Sequence, residues 1–333
     1  MTTRRADIDA AKGFAILLVV FGHLVARADP QGVQWYEPLR NAIYAFHMPF
    51  FLYLSGLVAV YSGFLRRRRA ELWQAARHRG KRLLLPFFLM GGLIVCGKLI
   101  MKQIMLVDNP PAGLISGLTG LFWHTAASPS LSIWYLFVLF VVSLGALALL
   151  DGKASRWPAL LALCLLLYLL PLPAYVYADR IGTYAIFFTL GAGAGLLGAR
   201  WDALMDRLWP LALAGLLACL ILVAASGAAG EQKWILLPVG ALSCPALHGF
   251  LRSMRQKSAL GWFLFLGRYS FMIYLFNTIC IGLAKGVLMP VYSWNGADFL
   301  PFASLLMGAG LFGPIALKRH ALRRVPVLDR LTN

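Results

Sequence analysis

Lys12 and His23 are separated by ten residues without charge, in Asp9-Ala-Ala-Lys-Gly-Phe-Ala-Ile-Leu-Leu-Val-Val-Phe-Gly-His23. On an α-helix, eleven steps of roughly 100° return to within about 20° of the start, so both groups share one face. A rise of ~1.5 Å per residue sets His23 roughly 16 Å farther along than Lys12. Asp9, three residues before Lys12, falls on the same face and is placed to pair with its ammonium. An imidazole exchanges a proton near neutral pH, which makes His23 the best candidate for a general base or transient group carrier. The plain alternative is a histidine satisfied by a neighbouring helix. An ionisable group inside an apolar segment is costly, and that cost favours the functional reading.

The elements that must position these groups are membrane helices. The chain is 60% hydrophobic with a mean hydropathy of +0.73, against about 45–50% apolar for soluble domains. Its long apolar runs predict an all-α polytopic bundle of about ten spans, near 9–27, 42–62, 83–105, 131–150, 158–171, 181–199, 209–226, 234–251, 265–285 and 299–317. The fifth is short and ends at Pro171-Leu-Pro173, so it is expected to be tilted or broken. The first run is read as a retained span and not as a signal peptide. No inter-span stretch is long enough for a second core, so residues 1–333 form a single membrane domain.

The net charge of +18 is distributed by side of the membrane and does not point to nucleic acid. Most Lys and Arg fall in alternate connections, while the opposite loops hold only Arg27, Arg40, Arg180 and Lys233. That bias predicts both termini in the cytoplasm. Cys96, Cys164, Cys219, Cys244 and Cys280 lie in apolar stretches without C-x-x-C spacing; neither metal nor disulfide chemistry is expected. Gly191-Ala-Gly-Ala-Gly195 lies within a span with no strand before it, and reads as close helix packing, not a phosphate loop. The outer segment 106–130, with Pro110, Pro111, Phe122, Trp123 and His124, reads as interfacial.

Further candidates lie on the next spans. His47 opens the second span and is expected in the same outer half of the membrane as His23, where the two rings can face one another; a loop hydrogen bond is the alternative. Ser55, before Gly56, is either a substrate contact or a packing residue bonded to the carbonyl four positions back. Arg66, Arg67, Arg68 and Arg69 suit anchoring to anionic lipid. Arg77, Arg79, Lys81 and Arg82 lead directly into the third span, where cations at a helix mouth suit a phosphate-rich cytosolic ligand. The span interiors hold almost no Asp or Glu, which weakens a proton-coupled transporter reading.

Taken together these residues resemble the acyltransferase 3 family of bacterial membrane proteins, which O-acylate sugars and glycans. The resemblance covers most of the chain. It rests on Lys12 and His23 in the family's basic-x10-His signature, His47 with its Met-Pro-Phe-Phe, and Leu54-Ser-Gly-Leu57. It continues with Arg77-x-Arg79-x-Lys81-Arg82 before Pro86, Ser132-Ile-Trp134-Tyr-Leu, and Gly267 to Leu275 with its Ser-x-x-x-Tyr-Leu.

The resemblance implies a bacterial cytoplasmic membrane, acyl-CoA (usually acetyl-CoA) as donor substrate with no permanently bound cofactor, and a carbohydrate hydroxyl as acceptor. It implies that His23 is essential, that Lys12 and Asp9 support it, and that the basic stretch holds the coenzyme A phosphates. Trp134, Tyr135, Tyr269 and Tyr274 are expected to line a sugar-sized cavity or to pack the core. Membrane lipid, a second copy of the chain and glycan-synthesis proteins are compatible partners. Three departures stand out: Lys12 replaces the commoner Arg, Asn277 stands where many relatives have His, and no fused extracytoplasmic domain is present. Transfer is therefore expected to be completed by the bundle or a partner. The competing reading is a transporter of a lipid-linked or small sugar without acyl chemistry.

Overall fold

The computed structural model describes residues 5–24, 30–104, 107–254, 259–324 and 329. The chain termini, the predicted span ends at 25–27 and 105, and Arg27, Arg255, Lys257 and Arg330 lie outside the described residues. The elements are α1 (Ala6–Gly22), α2 (Tyr36–Tyr44), α3 (His47–Tyr61), α4 (Leu72–Met101), α5 (Leu114–Gly120), α6 (Trp134–Leu150), α7 (Trp157–Leu169), α8 (Ala178–Leu197), α9 (Ala199–Ser226), α10 (Lys233–Ser253), α11 (Ala259–Leu288) and α12 (Phe299–His320). No strand occurs among the described residues.

The fold is the expected all-α polytopic bundle. Each predicted span overlaps a helix, while most of α2 and the seven-residue α5 are additions. Eight helical segments are long and apolar enough to cross a bilayer; α1, with 17 residues, and α7, with 13, fall below that length. Two helices start well before their apolar sections. Hydropathy detects Leu83 onward in α4, but the helix begins at Leu72, about three turns earlier, directly after a one-turn segment in which Glu71 accepts the Arg68 backbone N–H at 3.2 Å. Likewise α9 opens with the charged turn Arg200, Asp202, Asp206 and Arg207. It then turns Leu211, Leu217, Ile221 and Leu222 outward, as a lipid-facing span does.

Small residues set the helix contacts. A Cβ at Gly56 would stand 2.0 Å from Phe188 O, and one at Gly191 would stand 1.9 Å from Tyr53 O. The backbones of α3 and α8 thus touch, as the packing reading of Gly191 to Gly195 requires. Their contacts advance together, Tyr53 to Gly191 and Val60 to Gly195, so the two helices run parallel. An odd number of crossings must therefore lie between them. The crossings are α4, α6 and α7, and Trp157 against Gly193 with Leu167 against Gly182 shows α7 antiparallel to α8. Short as it is, α7 turns the chain around.

One end of the bundle is tied by buried ions. Asp7, fully buried in the first turn of α1, pairs with Arg5 at 2.6 Å and with Arg252 of α10 at 2.9 Å; His248 lies 3.6 Å away. Arg252 also grips Asp206 of α9 at 2.9 Å. Tyr53 accepts from Trp201 Nε1 at 2.8 Å and meets His248 Nδ1 at 3.0 Å. Four helices, α1, α3, α9 and α10, are joined there by groups that would be costly to leave unpaired.

Candidate functional site

α1, α3, α4, α6 and α11 surround a partly open cavity of about 430 Å³, within the ~300–1,000 Å³ common for ligand sites. The α1 wall supplies Asp9 and Lys12, whose carboxylate and ammonium lie 3.8 Å apart, the expected i, i+3 pair. From α4 come His78, Arg79 and Arg82, and from α11 come Arg268, Ser270 and Tyr274. Arg67 reaches in from the connection between α3 and α4. Five permanent cations therefore share the wall with one carboxylate, a field that attracts a polyanion.

The α4 helix explains which basic residues take part. Positions 79 and 82 lie three apart and share a face that lines the wall, whereas Arg77 and Lys81 are absent from it. The Arg79 guanidinium lies 4.2 Å over the Phe64 ring. Its Nε is buried without a hydrogen-bond partner, as is the Tyr274 hydroxyl. Deeper in the wall, Ser55 Oγ donates to Phe51 O at 3.0 Å and lies 2.5 Å from Tyr135 OH. Since Ser55 spends its proton on the carbonyl four residues back, Tyr135 is the donor between the two hydroxyls.

The connection that carries Arg67 is itself anchored. Arg69 donates its backbone N–H to Asp151 Oδ1 at 2.7 Å, and Arg156 approaches the other oxygen at 3.3 Å. The Arg69 N–H, aided by Arg156 and Lys153, holds the Asp151 carboxyl below the usual carboxylate range.

His23 and His47 sit at the opposite end of α1 and α3 from the cations. His23 caps the end of α1 and places Nδ1 2.6 Å from Asn277 Oδ1 on α11. His47 donates from Nδ1 to Ile43 O at 2.9 Å, and its ring lies 5.2 Å from that of Tyr44. Tyr44 in turn donates to Gly22 O at 2.6 Å, which links α2 to the end of α1 beside His23.

The structure thus gathers Asp9, Lys12, Ser55, Arg79, Arg82, Tyr135 and Tyr274 around one cavity and leaves His23, His47, Arg77, Lys81, Trp134 and Tyr269 off its wall. Trp134 is covered by Arg180, 4.7 Å over its ring, and by Tyr184 at a ring-centroid distance of 4.7 Å. Tyr269 accepts from Arg319 Nε at 3.1 Å. Arg67 lines the cavity although its sequence context suited lipid anchoring, and Arg268 and Asn277 also carry contacts that the sequence reading passed over. Arg268 lies within the Gly267 to Leu275 motif and is exposed, whereas Asn277, the departure from the family's His, is fully buried.

Comparison with known proteins adds to this geometry. The acyltransferase 3 family, described as an acyltransferase domain, matches residues 5–319. Among curated proteins, "Nodulation protein NolL" of Sinorhizobium fredii (strain NBRC 101917 / NGR234) is 30% identical over 193 residues, 56% of this chain and 48% of that protein. "Nodulation protein NolL" of Mesorhizobium japonicum (strain LMG 29417 / CECT 9101 / MAFF 303099) is 32% identical over 143 residues, 42% of this chain and 35% of that protein. The matched stretches span half or less of those relatives' own lengths. No solved structure matches the chain. The chain belongs to the acyltransferase 3 family.

Proposed function

From that membership we propose that the protein is a membrane-bound O-acyltransferase. It takes an acyl group, acetyl by the family's habit, from cytosolic acyl-CoA and gives it to a carbohydrate hydroxyl. The observation that carries the reading is the basic cavity, which Lys12, Arg67, Arg79, Arg82 and Arg268 line with Asp9 the one carboxylate. Coenzyme A is a polyanion with a nucleotide head and a long flexible thiol arm. Its phosphates suit the guanidinium groups, which bind phosphate with two parallel N–H bonds. The cavity lies on the side of the α3–α4 connection, where the charge bias favours the cytoplasm.

In this reading the thioester enters from the cation end and the acyl group travels toward His23, a distance of roughly 16 Å along α1. The pantetheine arm supplies the reach. His23 removes the proton from the acceptor hydroxyl or carries the acyl group briefly. Purified protein with radiolabelled acetyl-CoA, presented with a panel of glycans, tests the reading. Saturable binding with transfer to a glycan is expected; the absence of binding, hydrolysis and transfer together would sink it. Sugar movement across proteoliposomes without acyl turnover would favour the transporter instead.

A further inference from the structure

Asn277 is fully buried on α11, beside the end of α1. Its Nδ2 donates both of its hydrogens, to Ile273 O at 2.8 Å and to Tyr274 O at 2.9 Å. That leaves Oδ1 turned to His23, 2.6 Å from Nδ1. Exchanging the amide's oxygen and nitrogen would set an oxygen against two carbonyl oxygens, so the network fixes the orientation. An amide oxygen only accepts. His23 Nδ1 therefore carries hydrogen, and in the neutral ring the lone pair sits on Nε2.

We propose that Asn277 is a positioning residue for acyl transfer, holding His23 in the Nδ1–H tautomer so that Nε2 is the atom that accepts the proton. The proposal rests on the acyltransferase reading above. As the acceptor hydroxyl oxygen forms its bond to the thioester carbonyl carbon, its proton passes to Nε2. The carbon–sulfur bond breaks, and the departing thiolate takes that proton from Nε2, returning the ring to its starting form. Nδ1–H stays on Asn277 throughout. The arrangement follows the general logic in which a third group orients the base and selects its tautomer. Here that third group is neutral, so the ring is oriented without burying a second charge.

Nitrogen-15 spectra of histidine-labelled protein in nanodiscs test the assignment, with His23→Ala identifying the signal. The expected wild-type spectrum shows His23 with a protonated Nδ1 and a bare Nε2. Asn277→Leu is expected to populate the other tautomer and to lower kcat about 100-fold, while the acetyl-CoA KM stays within about threefold. A merely structural role would change protein yield without moving the tautomer. Wild-type His23 in the Nε2–H form, or Asn277→Leu that retains kcat within about twofold, overturns the proposal. Should Asn277→Leu fail to fold, the wild-type spectrum decides alone, since it needs no turnover. Protein with the Nδ1–H form that transfers acyl groups to no glycan instead removes the acyltransferase reading on which the proposal stands.

Discussion

Gly13 and Gly267 bring the backbones of α1 and α11 into contact. A Cβ at Gly13 would lie 1.9 Å from Phe263 O, and one at Gly267 would lie 1.9 Å from Asp9 O. The helices run parallel from that crossing toward His23 and Asn277 at the far end. One close approach therefore registers both the cation end and the histidine end. Gly267→Val must separate the two backbones, since no rotamer relieves a clash with a main-chain oxygen. Its cost is expected to exceed the ~1–3 kcal/mol of ordinary overpacking. Thermal unfolding followed by size-exclusion chromatography checks this. Gly282→Ala, on the same helix with nothing within 4 Å, should stay within about 0.5 kcal/mol.

The cavity divides the basic residues of α4 by face. Arg79→Gln and Arg82→Gln, with Arg67→Gln from the adjoining connection, are expected to weaken acetyl-CoA binding about tenfold or more, the size of one lost charged hydrogen bond. Arg77→Gln and Lys81→Gln, off the wall, should change it less than about twofold. Equilibrium binding of labelled donor to each variant is the measurement. Equal losses at all five positions would show a general field and no site.

Asp151 tests the scaffold behind Arg67. Its folded carboxyl titrates below the ordinary range because the Arg69 N–H binds the ionised form. Such a contact is fully present above the carboxylate's ordinary value and is lost only as pH falls through the lowered one. Asp151→Ala is expected to raise the donor KM roughly threefold, by the same factor at about pH 7 and about pH 5. A penalty that vanishes at the lower pH would place the anchoring elsewhere.

The spans and the Lys12–His23 spacing were legible because apolar periodicity and helical geometry are local properties of the chain. The pairing of Asp9 with Lys12 was legible for the same reason, being one turn of one helix. What the sequence hid was which face of a charged stretch turns inward. Arg67 and Arg77 look alike in a run of arginines, yet one lines the cavity and the other is exposed, because the first sits in a turned connection and the second on the outer face of α4. The role of Asn277 was equally hidden. Only packing of α11 against α1 sets its amide beside His23.

The buried ions at the start of α1 predict a contrast in stability. Asp7 has no exposed side-chain surface and holds two arginines, so Asp7→Asn removes the one fully buried carboxylate and leaves Arg5 and Arg252 to the more exposed Asp202 and Asp206. A loss of about 1.5–3 kcal/mol is expected, the worth of a hydrogen bond to a charged group. Asp206 binds the same Arg252, but its side chain is 55% exposed, and Asp206→Asn should cost less than about 1 kcal/mol. Thermal midpoints in one detergent rank the two. Equal losses would mean that water reaches the Asp7 cluster.

Lys12 and His23 stand at opposite ends of one helix, and their variants should fail differently. Lys12 lines the cavity with Arg79 and Arg82, so Lys12→Gln is expected to raise the donor KM, with kcat affected less. His23 lies off that wall, bonded to Asn277. His23→Ala should therefore keep donor binding within about twofold while losing roughly 100-fold or more of transfer, the usual worth of a general base. Binding of labelled acetyl-CoA and glycan acetylation, measured on the same membranes at matched protein level, separate the two effects. If His23→Ala loses donor binding and transfer together, the histidine belongs to the donor site, and the acyl group has no separate far end of α1 to reach. If binding survives without transfer, donor capture and proton removal are distinct tasks assigned to the two ends of one helix.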